Sequence, residues 1–294
     1  MQLIDGNFIS ARIKEELTAV VEERKNLGLK IPHLAAILVG ENGASLTYVN
    51  SKVKTCEQVG FRSTLIQLPE SVSQEELIRN IQQLNQNDDI DGYIIQLPLP
   101  DHIDEKKVLM QVDPNKDVDG FHPECIGKMA LGMDTFLPAT PAGIIELLAR
   151  YQIETAGKKC VVIGRSHIVG MPMSLLMQRN DYPGNATVTT LHSKSNQVKE
   201  TCREADILIV ALGKPGFVTG DMVKEGAVVI DVGITRVPDE SKKSGFRIAG
   251  DVDFASVSAK CSWITPVPGG VGPMTIASLL MNTMKSAKQK DNKK

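Results

Sequence analysis

The chain has 294 residues, of which 42% are hydrophobic and 23% charged, and a formal net charge of −2. Such a composition describes a soluble globular protein able to bury one large core or two modest ones. The near-neutral balance excludes nucleic acid or an anionic membrane as an expected partner, and no apolar run approaches the length of a membrane span.

The first part alternates helix and strand. The pattern predicts a helix over 7–27 closed by Gly28, a short buried strand at His33–Val39, a turn at 40–43 and a helix over 45–59 closed by Gly60. A strand over 61–68 follows, then a helix over 73–85 with Ser73 as N-cap and Glu76 three residues on, a capping box. The next strand covers 92–97. This βα alternation implies a parallel sheet. The stretch 113–138 is rich in Asp, Pro and Gly and reads as a connection. A helix over 141–151 leads into strands near 159–164, 186–191, 206–211 and 227–232, with helices between them. The Pro/Gly-rich stretch 262–273 reads as a loop. A final amphipathic helix over 274–288 is expected to return to the first domain, and the basic tail 285–294 reads as a frayed, solvated helix end.

The expected fold class is α/β, with two α/β domains and a cleft between them. The first would comprise 1–120 plus 275–294; the second, 121–274, would be Rossmann-like and bind NADP. The five cysteines, Cys56, Cys125, Cys160, Cys202 and Cys261, are scattered, odd in number and free of any C-x-x-C pair. The N-terminus carries early acids and no apolar leader. Both features fit a reducing, cytoplasmic setting. The five histidines form no ligand spacing, so no metal is expected.

The segment 158–178, KKCVVIGRSHIVGMPMSLLMQ, runs from a β-branched strand through Gly164 into an apolar helix, with Gly170 closing the turn and Pro172 in the helix's first turn. A strand feeding a helix through a glycine turn aims backbone N–H groups and a positive dipole end at one spot, which suits a phosphate. The spacing is G-R-S-x-x-x-G-x-P rather than GxGxxG, so an ordinary βα turn is the competing reading. One strand later, where an NAD site places an acid, the chain has His192-Ser193-Lys194-Ser195. With Arg165 and Ser166 in the first loop, these groups suit a 2′-phosphate and favour NADP over NAD.

Three further places invite chemistry. On the helix over 45–59, Tyr48 and Lys52 stand at i and i+4 on one face, beside the apolar stripe of Val49, Val53 and Cys56. A lysine there either snorkels to water or is desolvated into an acid–base group. Gln96 ends a buried strand, where open α/β sheets place ligands. Asp117 and Asp119 lie in NKDVDGF; aspartates in such loops cap turns, or can accept from paired N–H donors of a heterocycle. The stretch 266–275, PVPGGVGPMT, lacks the lysine of a P-loop, so Pro268, Gly269 and Gly270 read as a rigid wall beside a flat ligand.

Taken together, these pieces resemble the bifunctional methylenetetrahydrofolate dehydrogenase/methenyltetrahydrofolate cyclohydrolase family of the FolD type. The resemblance rests on Tyr48-Val49-x-x-Lys52-x-Lys54, Gln96-Leu97-Pro98-Leu99-Pro100, Lys116-Asp117-Val118-Asp119-Gly120-Phe121 and Thr140-Pro141. It continues through Gly164-Arg165-Ser166 with Val169-Gly170-x-Pro172, His192-Ser193-Lys194, Asp231-Val232-Gly233, and the run from Pro268 to Thr275. These cover almost the whole chain in order. The resemblance implies oxidation of 5,10-methylenetetrahydrofolate by NADP⁺ and hydrolysis of the methenyl product to 10-formyltetrahydrofolate in one cleft. It implies Lys52 as the central catalytic group, Gln96 as its positioner, Tyr48 stacked on the folate and Asp119 holding the pterin. Pro268, Gly269 and Gly270 would complete the folate site, while Gly164, Arg165, Ser166, Gly170, Ser193, Lys194, Gly233 and Ile234 would bind NADP. A homodimer joined through the nucleotide domain is a further implication. The alternatives are a monofunctional dehydrogenase, another NADP-linked oxidoreductase acting on a small acid, and a nucleotide-sensing protein without turnover.

Overall fold

The computed structural model describes residues 1–242 and 245–291. It divides the chain into two compact units, one of Met1–Ser10 with Thr140–Thr275, the other of Ala11–Ala139 with the chain from Ile276 onward.

The second of these units is built on a three-stranded parallel sheet in the order β3-β2-β4, with β2 at His33–Val39, β3 at Arg62–Leu68 and β4 at Gly92–Ile95. Every residue of β2 is buried, which is why HLAAILV reads as an unbroken apolar run rather than an alternation. Helix α1 (Gly6–Asn26) buries Ile13, Leu17 and Val21, one per turn. Helix α2 (Gly43–Gln58) buries Val49, Lys52 and Cys56, while Val53 is half-buried. Helix α3 (Gln74–Gln86) buries Leu77, Ile81 and Leu84, and the Ser73 hydroxyl accepts from the Glu76 N–H at 3.2 Å. At its other end Lys116 donates to the carbonyls of Leu84 and Asn87, both at 2.8 Å, satisfying groups the helix leaves open. The short helix α4 (Glu105–Leu109), capped by Asp104, was not expected from the pattern.

The stretch read as a connection, 113–138, contains a helix, α5 (Pro123–Ala130). Pro123 occupies its first position, the His122 ring accepts from the Glu124 N–H, and Cys125 and Met129 are buried. Eight residues rich in turn formers hide such a helix from periodicity. The last helix, α10 (Val271–Asp291), begins three residues earlier than expected and ends at the limit of description, so the tail beyond 291 lies outside the described residues. Within this unit α10 is anchored by Ser286 to the Asp91 carbonyl at 2.6 Å, and by Asp291 to Arg24 at 2.6 Å.

The other unit carries a six-stranded sheet, parallel throughout, in the order β1-β11-β8-β7-β5-β6. Its strands are β5 (Lys159–Ile163), β6 (Thr187–Leu191), β7 (Ile207–Val210) and β8 (Val228–Asp231), joined by β1 (Gln2–Leu3) and β11 (Trp263–Ile264). The last two were not anticipated. Both are two residues long, and β11 lies in the stretch read as loop. Helices α6 (Ala139–Arg150), α7 (Gly170–Gln178), α8 (Val198–Arg203) and α9 (Phe254–Ser258) accompany the sheet, and β9 (Thr235–Pro238) pairs antiparallel with β10 (Phe246–Ala249). The core gathers Val161, Ile163, Leu208, Val210, Val229 and Ile264 from adjacent strands.

Apart from a one-residue shift at Thr275, these units differ from the expected boundaries at two places. Residues 1–10 join the nucleotide-type sheet because β1 pairs with β11 and the Asp5 N–H donates to the Tyr151 hydroxyl at 2.9 Å. Residues 121–139 stay with the three-stranded unit. There the His122 N–H donates to Asp117 at 2.7 Å and Lys285 pairs with Asp134.

Candidate active site

In the six-stranded unit the chain goes from β5 to β6 on one side and then crosses to β7 on the other, so strand order reverses at β5. Such a reversal is where open parallel sheets bind dinucleotides. Gly164, just past β5, has φ +124°, and a Cβ there would lie 2.3 Å from the Ala211 carbonyl oxygen beyond β7. A Cβ at Gly170 would lie 2.2 Å from the Gly164 carbonyl oxygen. Both glycines are thus required by close backbone packing at this point. The Ser166 hydroxyl accepts from the N–H groups of Val169 and Gly170 at 3.2 and 3.3 Å, and its carbonyl accepts from Met171 at 3.0 Å. The start of α7 is therefore already capped, and the bare N–H cradle expected from the pattern is occupied by Ser166.

The Gly164 N–H donates to the Leu191 carbonyl at 2.8 Å, continuing the β5–β6 register in which Ile163 faces Leu191. Arg165 and Ser193 thus leave neighbouring strand ends side by side. The Ser195 hydroxyl accepts from the His192 N–H at 2.9 Å and pins the second loop, while Arg165, Ser166, Ser193 and Lys194 are exposed. Cations and hydroxyls at the corner where an acid would select an unphosphorylated ribose fit a 2′-phosphate.

A pocket of 260 Å³ in the same unit brings Gly233 and Ile234, beyond β8, together with Pro268, Gly269 and Gly270. Residues expected at the cofactor and residues expected at the substrate share its lining. The glycines answer first to packing. The Asn7 N–H donates to the Gly269 carbonyl at 3.0 Å, and a Cβ at Gly270 would lie 2.5 Å from the Pro266 carbonyl oxygen.

The other unit assembles the second set. Lys52 is only 7% exposed, and its Nζ donates to Gln96 Oε1 at 3.2 Å. Gln96 sits past the end of β4, where its N–H donates to the Ile37 carbonyl and its Nε2 to the Leu97 carbonyl, fixing the side chain's orientation. Tyr48, one turn before Lys52 on α2, is 39% exposed, and packing pushes its phenol pKa up. Asp117 and Asp119 divide the roles left open by the sequence. Asp117 caps the turn, accepting from the N–H groups of Gly120 at 3.1 Å and His122 at 2.7 Å. Asp119 is half-buried and accepts no hydrogen bond among the described residues. Burial pushes its carboxyl up, and the Lys52 ammonium opposes that shift. Among the described residues no group of three His, Cys, Asp or Glu side chains could hold a metal ion.

Residues 4–119 match the family model described as the tetrahydrofolate dehydrogenase/cyclohydrolase catalytic domain, and residues 138–291 match its NAD(P)-binding domain. The chain belongs to this family. It is 63% identical over 287 residues to the bifunctional protein FolD of Cytophaga hutchinsonii, covering 98% of this chain and 99% of that one. Among solved structures it is similar to the bifunctional FolD enzyme of Campylobacter jejuni, with 49% identity, a TM-score of 0.93 and 99% of each chain covered. The FolD dehydrogenase–cyclohydrolase of Trypanosoma brucei, solved with NADP cofactor and inhibitor, follows at 39% identity, a TM-score of 0.92 and 98% of each chain. As a member of the family this chain oxidises 5,10-methylenetetrahydrofolate with NADP⁺ and hydrolyses the methenyl product to 10-formyltetrahydrofolate.

Some residues that shape the FolD-type site carry no sequence signal of their own. Asn282, on α10, donates to the carbonyls of Val118 at 2.8 Å and Leu137 at 3.0 Å, holding the strand of chain that presents Asp119. Its one legible trait is a carboxamide on the otherwise apolar face of a helix. Asp251, discussed below, follows a glycine in a stretch that reads as a turn.

Proposed function

We propose that the two reactions draw on separate groups of residues. For the folate, Asp119 accepts from the paired N–H donors of the pterin and Tyr48 stacks on the ring system. NADP is held by Arg165, Ser193 and Lys194 at its 2′-phosphate, and by Gly164, Ser166, Gly170, Gly233 and Ile234 along its length. When bound, NADP⁺ accepts the hydride. That step asks the protein mainly for orientation, because the nicotinamide supplies the electronic chemistry.

Hydrolysis asks for more. Water attacks the carbon of the methenyl cation and gives one proton to Lys52; the proton of the resulting hydroxyl then passes to N5 as the bond from that carbon to N5 breaks, leaving the formyl group on N10. The observation that carries this reading is the Lys52–Gln96 pair. A buried lysine held by a neutral carboxamide, with no salt-bridge partner among the described residues, is positioned as the candidate proton acceptor. The exposed cations at the β5–β6 corner support NADP over NAD. The five cysteines are all free and buried, and no helix among the described residues is long and apolar enough to cross a membrane; we place the protein in the cytoplasm. The family resemblance alone adds a homodimer joined through the nucleotide unit.

The test is Lys52→Met, which keeps the length of the side chain. Decay of methenyltetrahydrofolate above its spontaneous rate should nearly vanish, while part of the NADP⁺ reduction survives. Wild-type hydrolysis by a variant with an unchanged circular dichroism spectrum would leave Lys52 a packed helix residue.

A further inference from the structure

Two buried carboxylates lie beneath the pocket at the carboxyl end of the six-stranded sheet. Asp231, the last residue of β8, is 4% exposed, and Asp251, in the turn after β10, is fully buried. Neither pairs with a cation among the described residues. Their partners are backbone N–H groups from three separate stretches of chain. Asp231 Oδ1 accepts from Gly233 and from Asp251 itself, both at 2.9 Å, and Oδ2 accepts from Val252 at 3.0 Å. Asp251 Oδ2 accepts from Leu212 at 2.6 Å and Gly213 at 2.8 Å, both in the loop beyond β7. The Asp251 Oδ1 has no hydrogen-bond partner among the described residues and lies against Gly233.

We propose that Asp251, acting through Asp231, is a positioning residue for the dinucleotide. The pair holds the loop after β7 and the loop after β8 in a fixed relation at the end of the sheet where strand order has reversed. This rests on the reading of Gly233 and Ile234 as cofactor residues. The packing argues for position rather than bulk stability. Burying two carboxylates side by side is unfavourable, and apolar side chains of the same size would fill the space at lower cost. Burial pushes the Asp231 carboxyl up to about 6 against its three N–H donors, and the Asp251 charge adds to the rise. What apolar side chains could not do is accept from the paired N–H groups of Leu212 and Gly213. The same carboxylates explain two glycines. A Cβ at Gly233 would lie 2.6 Å from Asp251 Oδ1, and one at Gly250 would lie 1.9 Å from Asp231 Oδ2. Gly233 therefore reports the carboxylate beneath it as much as any ligand above it.

The test uses the full chain and two substitutions at one position. Asp251→Ala removes the acceptor for both N–H groups. Asp251→Asn keeps one carbonyl oxygen to receive them. Calorimetric titration with NADP⁺ should show affinity lowered about tenfold or more in Asp251→Ala, which loses the acceptor for both N–H groups, and largely restored in Asp251→Asn, which keeps it. The KM for NADP⁺ should rise in parallel, whereas hydrolysis of methenyltetrahydrofolate, which consumes no cofactor, keeps its rate. If Asp251→Ala cannot be purified folded, Asp251→Ser takes its place, because its shorter hydroxyl cannot reach both N–H groups. Wild-type NADP⁺ affinity in Asp251→Ala, or in the Ser variant used in its stead, would overturn the proposal, and so would an Asn variant as impaired as the Ala variant. A wild-type protein that fails to bind NADP⁺ would instead overturn the cofactor reading itself.

Discussion

Replacing Gly164 with alanine tests the claim that the β5 and β7 strand ends approach too closely for any side chain. The new Cβ would sit 2.3 Å from the Ala211 carbonyl oxygen, about 1 Å inside ordinary contact, at a backbone φ of +124° that a residue with a Cβ adopts only under strain. Strained backbone costs roughly 1–2 kcal/mol and overpacking roughly 1–3 kcal/mol. A combined value near 3 kcal/mol lowers Tm by roughly 6–12 °C in a protein of this size. Part of the overlap is relieved by moving the loop after β7 outward, and that loop borders the proposed dinucleotide site. Initial rates against NADP⁺ concentration should therefore show KM raised about tenfold, because a displacement of this size disrupts oriented contacts. Hydrolysis of methenyltetrahydrofolate without cofactor should persist near wild type, since Lys52, Gln96 and Asp119 lie in the other unit. Unchanged Tm and unchanged KM for NADP⁺ together would refute the close-packing argument.

Asp119→Asn should weaken folate binding about tenfold or more, through loss of a charge-assisted acceptor, and leave NADP⁺ binding unchanged; fluorescence titration with each ligand separates the two. Arg165→Ala should narrow the preference for NADP⁺ over NAD⁺ about tenfold in kcat/KM by raising KM for NADP⁺, with the NAD⁺ reaction little altered. A variant that weakens both cofactors equally would point to a role away from the 2′-phosphate. Asp117 offers a pH signature. Burial raises its folded carboxyl to about 6, so its protonated form is favoured by folding, and that stabilisation is present below pH 4 and lost as pH rises through 6. The Tm advantage of wild type over Asp117→Asn should accordingly shrink between pH 4 and pH 7, and a difference constant across that range would contradict it.

Long elements with a single periodicity were legible in the sequence. The buried β2, the capped α3 with Leu77, Ile81 and Leu84 one side up, and the βα alternation of both halves follow from pattern alone. What stayed hidden was short or non-local. Two-residue β1 has no period to read, and its membership of the nucleotide sheet depends on Trp263 and Ile264, some 260 residues away. Helix α5 is disguised by its proline, glycine and flanking turn formers. At the candidate site, residue types pointed to Lys52, Gln96 and Asp119, but the division of labour between Asp117 and Asp119 needed hydrogen bonds. The turn from β5 into α7 was legible in its glycines, while the capping of α7 by Ser166 depends on a rotamer no sequence displays.

Neither unit is a continuous stretch of chain, and this bears on how the protein is made. During synthesis the three-stranded unit has all its strands by residue 95, yet the helix that supplies Asn282 to the Asp119 segment and Ser286 to Asp91 emerges only after every strand of the other unit. The six-stranded sheet, in turn, has its edge strand β1 made before all its other strands and held over until β11 appears. A nascent chain therefore carries two incomplete cores at once, each waiting for a segment at the opposite end of the sequence. Truncations that respect the apparent boundary at 139/140 would leave both cores open, and the protein is expected to reach its protease-resistant state late and all at once rather than one unit at a time.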